Sequence, residues 1–293
     1  MIRISSRVVV IALGVAAVAA VPRAASAQGD DAALRRKFSI AVPSAEMSTI
    51  LQPEQFFRGA PGTNTGSVMA FGPNWGDAYI GGSYQNQTRG VYNSATKTTS
   101  ANRSYDGSVS AGFGLGNSRD AVALEVDITS LSTFHSGFFN RTAFSFKLNR
   151  MLDDYSAIAV GVENGFIAGP SPTDGTASWY AVASRVFLLP GASSNDVFKA
   201  VTASFGLGNG RFRFIQDVAT NKSTVNAFAS AALLIVDQVS VIADYTGQDF
   251  DVGLSLVPFR QLPIVITPAL SDVTGTASKT MRFTLGVGIG MHF

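Results

Sequence analysis

The sequence predicts an all-β fold, a transmembrane antiparallel up-and-down β-barrel of about twelve strands. Three observations predict it. Strand-length segments recur from residue 74 to the carboxy-terminus, most of them have one apolar and one small or polar face, and turn residues separate them. Successive side chains of a strand point to opposite faces, so an apolar face suits lipid while the other suits a polar lumen.

Residues 1–27 are interpreted as a secretory signal peptide. Arg3 and Arg7 give a positive start, and residues 8–21 form an apolar run that is too short for a membrane-spanning helix. The small residues of Ala25-Ser26-Ala27 predict cleavage after Ala27. The chain would then enter the secretory route.

The composition argues against several classes of function. With Arg3, Arg7 and Arg23 in the signal, the 22 basic residues fall to 19 against 20 acidic ones, so the mature net charge is −1 and does not indicate nucleic-acid binding. The absence of cysteine excludes disulfides, thiol catalysis and thiolate metal sites. Only 14% of residues are charged, against about 25% in a typical soluble domain.

Residues 28–73 form a predicted N-terminal extension that precedes the barrel at 74–293. They lack clean alternation, and Pro43, Pro53 and Pro61 interrupt them. Two placements are open, a periplasmic lead-in and a segment folded into the lumen as a plug.

The barrel strands are predicted from period-2 alternation between turn signals. Their predicted ranges are 75–86, 104–115, 121–131, 141–150, 155–164, 177–188, 198–208, 223–235, 239–246, 249–258, 262–269 and 281–293. Twelve is the even number expected of a single-chain bacterial barrel.

The connections between these strands predict an orientation. With a periplasmic amino-terminus, most connections at the periplasmic end are short, and most at the outer end are long and rich in Asn, Ser, Thr and Gly. This is the pattern of an outer-membrane barrel. The tight outer connection at residues 246–249 is an exception.

Eight charged residues are predicted to face the lumen, because charge on the lipid face is costly. They are Glu125, Asp127, Lys147, Glu163, Arg185, Asp244, Asp251 and Arg282. Two interpretations are open: ion pairs that hold the barrel shut, or a wet pore whose charged wall sets ion preference. Five acids against three bases favour cations weakly.

Other chemistry has little support in the sequence. The run Gly206-Leu-Gly-Asn-Gly210 lacks the following helix of a phosphate site, because Arg211–Ile215 alternates as a strand would. With His135 and His292 as the only histidines and no cysteine, we expect no metal, no cofactor and no enzymatic activity.

Aromatic residues near strand ends predict interfacial girdles. They are Phe71, Tyr105, Trp179, Tyr180, Tyr245, Phe250 and Phe259.

The last strand has one wholly apolar face and ends on an aromatic residue. That face consists of Phe283, Leu285, Val287, Ile289, Met291 and Phe293. It resembles the carboxy-terminal strand of bacterial outer-membrane β-barrels. The resemblance implies recognition by the barrel-assembly machinery and contact with outer-membrane lipid.

Most of residues 74–293 resemble a loosely defined, porin-like group of bacterial outer-membrane barrel proteins. The resemblance is carried by 74–79, 130–134, 241–249 and the last strand. It implies an outer-membrane location and no particular substrate. The polar inner face predicts a passive channel for small hydrophilic solutes or ions. The alternative is a closed structural or interaction barrel whose outer loops bind an envelope or external partner.

Overall fold

The computed structural model describes residues 60–101, 104–169, 177–189, 197–259 and 262–293. The predicted signal peptide, its cleavage site and residues 28–59 of the predicted extension lie outside the described residues.

The described residues form mainly β-strands, which are numbered in chain order. They are β1 (Asp77–Gln85), β2 (Val91–Asn93), β3 (Thr98–Ser100), β4 (Asp106–Gly116), β5 (Ala123–Ser130), β6 (Thr142–Asp153), β7 (Ser156–Ala168), β8 (Ser178–Leu188), β9 (Ala200–Gly208), β10 (Asn226–Val236), β11 (Val239–Tyr245), β12 (Phe250–Leu256), β13 (Ile264–Ser271) and β14 (Arg282–His292).

Twelve of these strands close into one antiparallel barrel. Neighbours in the ring follow one another along the chain, and β1 completes the ring by pairing with both β4 and β14. At the closing pair, Asp77 lies opposite His292 and Gln85 lies opposite Thr284. The prediction of a closed twelve-stranded antiparallel barrel is therefore confirmed. A closed ring leaves no unpaired sheet edge, as a wall surrounded by lipid requires.

The connections contain elements that the alternation did not predict. Strands β2 and β3 pair as a small hairpin between β1 and β4. Short helices lie at Thr133–Ser136 (α1) and Ile215–Ala219 (α2), with a 3₁₀ turn at Gly210–Phe212. The strand-like alternation of Arg211–Ile215 does not produce a strand, because a 3₁₀ turn and α2 occupy this part of the connection. The chain turns at Gly210, whose φ is +58°, and the Arg213 side chain donates back to the Gly210 carbonyl at 2.9 Å.

The two ends of the barrel differ in their connections. One end, which we call the turn end, holds Asp77, His292 and mostly short connections. The opposite end, which we call the loop end, holds the longer connections, apart from the tight turn at 246–249. The longer connections include those between β1 and β4 and between β9 and β10.

The outer face of the strands is largely apolar. In β4, for example, Val109, Ala111, Phe113 and Leu115 point outward while Ser110 and Gly112 point inward. Among the described residues, no helix is both long and apolar enough to cross a membrane.

Exposed aromatic residues lie at both ends of the outer face. Trp179 and Tyr105 lie toward the loop end, and Phe259 lies toward the turn end. The girdle prediction is wrong for Phe71 and Tyr180, which are only 1% and 8% exposed and lie inside the barrel. Their side chains join an apolar cluster in the lumen instead of facing lipid.

Candidate functional site

The barrel lumen is occupied by residues 60–74, which we call the lumen segment. Near the turn end, the Gly62 amide donates to Ser255 Oγ at 2.7 Å, and Ser240 Oγ donates to the Gly62 carbonyl. The segment reaches the loop end at residues 65–67 and returns, so that the Trp75 amide bonds the Gly116 carbonyl at the turn end at 2.7 Å. The segment is thus a re-entrant loop within the barrel.

The apex of the lumen segment is held by one carboxylate of the wall. Asp244 Oδ2 accepts hydrogen bonds from the amides of Thr65, Gly66 and Ser67 at 2.7, 2.8 and 3.0 Å. Asp244 is 1% exposed, and its Oδ1 has no hydrogen-bond partner within the described residues. Successive amides that converge on one anion form the concave site known as a nest.

The small residues of the apex allow this close approach. A Cβ atom on Gly66 would lie 2.8 Å from Cγ2 of Thr246, which follows β11 at the loop end. Thr246 cannot turn away freely, because its Oγ1 accepts the Asp249 amide at 3.0 Å. A side chain at position 66 would therefore press against the Thr246 methyl group.

The returning half of the segment meets a buried ion pair. Lys147 on β6 contacts Glu125 on β5, and Lys147 Nζ donates to the Phe71 carbonyl at 2.9 Å. Tyr79 Oη donates to Glu125 Oε1 at 2.9 Å. Glu125 and Lys147 are 1% and 3% exposed. The pair is inside the wall, and one of its charges is used to bind the lumen segment.

An apolar cluster packs between the segment and one side of the wall. Residues 68–71 are fully buried against Tyr180, Phe212 and Phe228, among others. The Phe212 and Phe228 rings are stacked with centroids 4.4 Å apart. Within this stretch, the Ala70 amide also donates to Ser184 Oγ at 2.7 Å. The segment is thus held by both polar and apolar contacts.

A loop arginine also reaches the apex. Arg211 Nη1 donates to the Gly66 carbonyl at 2.8 Å, and its guanidinium forms a bidentate ion pair with Glu163 on β7. The sequence did not single out Arg211, because it falls in the predicted connection between strands 198–208 and 223–235. The adjoining glycines Gly208 and Gly210 were the available signal that the chain turns there.

A second ionic cluster lies at the loop end. Asp249 Oδ2 is 2.5 Å from both Arg89 Nη2 and Arg282 Nη2. Burial by itself raises the pKa of Asp249, but the two arginines outweigh it and hold that pKa below its ordinary value. The carboxylate is therefore ionised near neutral pH and links the connection after β1 to β14.

Asp251 lies directly opposite Asp244 in the β11–β12 pair. The barrel itself supplies its partners, because Ser271 Oγ donates to Oδ2 at 3.0 Å and the Asp272 amide donates to Oδ1 at 2.9 Å. Like charges directly opposite in an antiparallel pair are destabilising. Each carboxylate of this pair is therefore compensated by a different part of the chain.

Seven of the eight predicted lumen charges lie on the inner face. They are Glu125, Asp127, Lys147, Glu163, Asp244, Asp251 and Arg282. The structure joins Glu125 with Lys147, Glu163 with Arg211, and Arg282 with Asp249.

The prediction is wrong for Arg185, which faces outward near the turn end. Its Nη1 donates to Ser156 Oγ at 2.8 Å and lies 3.7 Å from Asp153 Oδ2. Strand β8 carries apolar residues on both faces, and its inward set includes Tyr180 and Val182 because the lumen contains an apolar cluster. Alternation alone could not show which set faces inward.

The apolar set of the last strand lies on the outer face of β14, and Phe293, which follows that strand, is 76% exposed. His292 faces inward at the turn end, with Nδ1 2.7 Å from Asp77 Oδ1. The described residues contain no group of three or more His, Cys, Asp or Glu that could hold a metal ion.

The sequence matches no protein-family model and no curated protein. Solved structures show a likeness. An outer membrane channel from Pseudomonas putida F1 has a TM-score of 0.44 at 11% identity, covering 75% of this chain and 96% of that chain. The outer membrane protein Omp33 of Acinetobacter baumannii has a TM-score of 0.37 at 8% identity, covering 74% and 98%. Both TM-scores are below 0.5.

Proposed function

We propose that this protein is an outer-membrane channel for small hydrophilic solutes or ions, closed in this conformation by its own lumen segment. The observation that carries the proposal is the polar wall behind that segment. Ser184, Ser240, Ser255 and Asp244 bind its backbone through side-chain oxygens. Water can take over such hydrogen bonds when the segment leaves, because the exchange of partners has a small net free energy.

The proposed location is the outer membrane, with the turn end in the periplasm. The apolar outer face supports it, as do the long connections at the opposite end. The outward Arg185 lies near the turn end, where a long side chain can reach the interface. We propose that residues 1–27 direct export, with cleavage after Ala27, and that the barrel-assembly machinery then recognises the apolar face of β14.

A closed structural or interaction barrel is the second candidate. The apolar packing of residues 68–71 against Phe212 and Phe228 favours it, since buried aromatic contacts would hold the segment in place. In that case the loops at the outer end would bind an envelope or external partner. We propose no enzymatic role for either form.

Single-channel recording from refolded residues 28–293 in a planar bilayer separates the two candidates. A channel shows stepwise openings, which become frequent when residues 28–73 are deleted. Folded and inserted protein that stays silent both with and without residues 28–73 would support the closed barrel.

A cross-link tests the role of the lumen segment in the full chain, in case the deletion impairs folding. A Cβ on Gly62 would lie 3.7 Å from Ser255 Cβ, inside the range of about 3.5–4.5 Å for a disulfide. Since the chain has no cysteine, Gly62→Cys/Ser255→Cys can form one disulfide only. We expect the oxidised double variant to stay closed and to open after reduction. The open probability of each single variant should not change when the reductant is added. Openings that persist in the fully oxidised variant would show that the segment is not the gate.

A further inference from the structure

We propose that the pathway opened by withdrawal of the lumen segment prefers cations, with Asp244 and Asp251 as the residues that set this preference. The inference rests on the proposed channel function and names the class of solute. The cation preference depends on which charged residues of the wall still have a partner after the segment leaves.

The bases on the wall are already paired with acids of the barrel. Lys147 contacts Glu125, and Arg282 contacts Asp249. Neither pair depends on the lumen segment. With Arg185 on the outer face, these two bases are the positive side chains that the inner face of the described strands presents.

Two arginines in the connections at the loop end are also paired with acids. Arg89 binds the same Asp249 oxygen as Arg282, and Arg211 binds Glu163. At the opposite end, His292 lies against Asp77. Asp106 and Asp127 are further acidic residues on the inner face of the barrel.

Asp244 differs from these groups, because all its hydrogen bonds to the described part of the chain come from the segment. Its three amide donors are residues 65–67, and its Oδ1 has no partner within the described residues. A nest of amides carries positive partial charge, so it stands where a cation would be favoured. Removing the segment removes that positive charge and leaves the carboxylate facing water.

Asp251 lies directly across the strand pair and brings a second carboxylate to the same position. It keeps its hydrogen bonds to Ser271 and Asp272, which no withdrawal of the segment removes. The open pathway therefore passes two adjacent carboxylates near the loop end, and no base of the described residues is bound to either. Rings or pairs of such groups make a pore favour cations.

The expected preference can be estimated from the two charges. We take an ion in water at about 8 Å from each carboxylate, with the Coulomb interaction screened over a Debye length of about 10 Å at 0.1 M salt. The two carboxylates then raise the local concentration of a univalent cation about twofold and lower that of an anion by the same factor. The potassium-to-chloride permeability ratio should then be roughly fivefold. In 1 M salt, where the Debye length is about 3 Å, the ratio should approach one.

The test is the reversal potential of open channels of residues 28–293 under a potassium chloride gradient. We expect potassium preference in the parent, near loss of it in Asp244→Asn/Asp251→Asn, and no change in Asp120→Asn, whose exposed carboxylate lies at the turn end. A non-selective or anion-preferring parent overturns the inference, as does a double variant that keeps the parent ratio. A channel that never opens, with or without residues 28–73, instead refutes the proposed function.

Discussion

The fit of Gly66 against Thr246 makes the gate testable by a single methyl group. Gly66→Ala places a Cβ 2.8 Å from Thr246 Cγ2, far inside ordinary contact distance. The φ of Gly66 lies outside the left-handed region, so alanine adds no backbone strain there. The whole effect of the substitution on the closed state is then steric.

The size of that effect follows from overpacking. Forcing an extra carbon into a packed site costs about 1–3 kcal/mol. If the lumen segment is the gate, this free energy falls on the closed state alone and raises the ratio of open to closed channels by roughly 5- to 150-fold. Thr246 cannot relieve the clash by rotation without losing its hydrogen bond to the Asp249 amide.

The assay is the open probability of refolded residues 28–293 in a planar bilayer. Thr246→Ser is the matched rescue, because it removes the clashing methyl group and keeps the hydroxyl that binds Asp249. We expect Gly66→Ala to open more often and Gly66→Ala/Thr246→Ser to return toward the parent. An unchanged open probability in Gly66→Ala, or no rescue in the double variant, would refute the steric account of the gate.

Three further results are expected. Lys147→Met should lower the free energy of unfolding of the barrel by about 3–5 kcal/mol, because it leaves Glu125 charged and buried. In urea unfolding, Lys147→Met/Glu125→Gln should recover part of this loss. Equal stability of the single and the double variant would contradict the reasoning. The pKa of Asp249 is lowered in the folded protein, so its contribution to the stability of the barrel is complete above its ordinary pKa of about 3.9 and is lost as pH falls through the lowered value. Asp249→Asn should therefore weaken the dependence of the melting temperature on pH in the acid range. Truncation of Phe293 should reduce assembled barrel in the outer membrane while export stays intact, and normal assembled levels would count against an assembly signal.

The strands of this protein could be predicted closely from the sequence. The predicted range 104–115 corresponds to β4 at Asp106–Gly116, and 239–246 corresponds to β11 at Val239–Tyr245. These predictions succeeded because alternation is local: each strand carries its own apolar face and its own flanking turn residues. A hairpin such as β2–β3 lacked a long apolar face and was therefore missed.

The content of the lumen could not be predicted in the same way. Residues 60–74 show no periodicity, and their hydrogen-bond partners lie up to 193 positions away, as in the bond from Gly62 to Ser255. Arg211 reaches Gly66 only because the chain turns at Gly210 and folds into the barrel mouth. Such contacts require the ring to be closed before they exist.

The sequence by itself determined the strand number, the antiparallel order and the face of most strands, since lipid outside and water inside impose a period of two on every strand. Only the tertiary structure decided that Arg185 points outward and that Asp244 holds a nest of three amides. Both depend on what fills the lumen: an apolar cluster draws the other face of β8 inward, and a re-entrant segment brings its amides to a carboxylate far away in the chain.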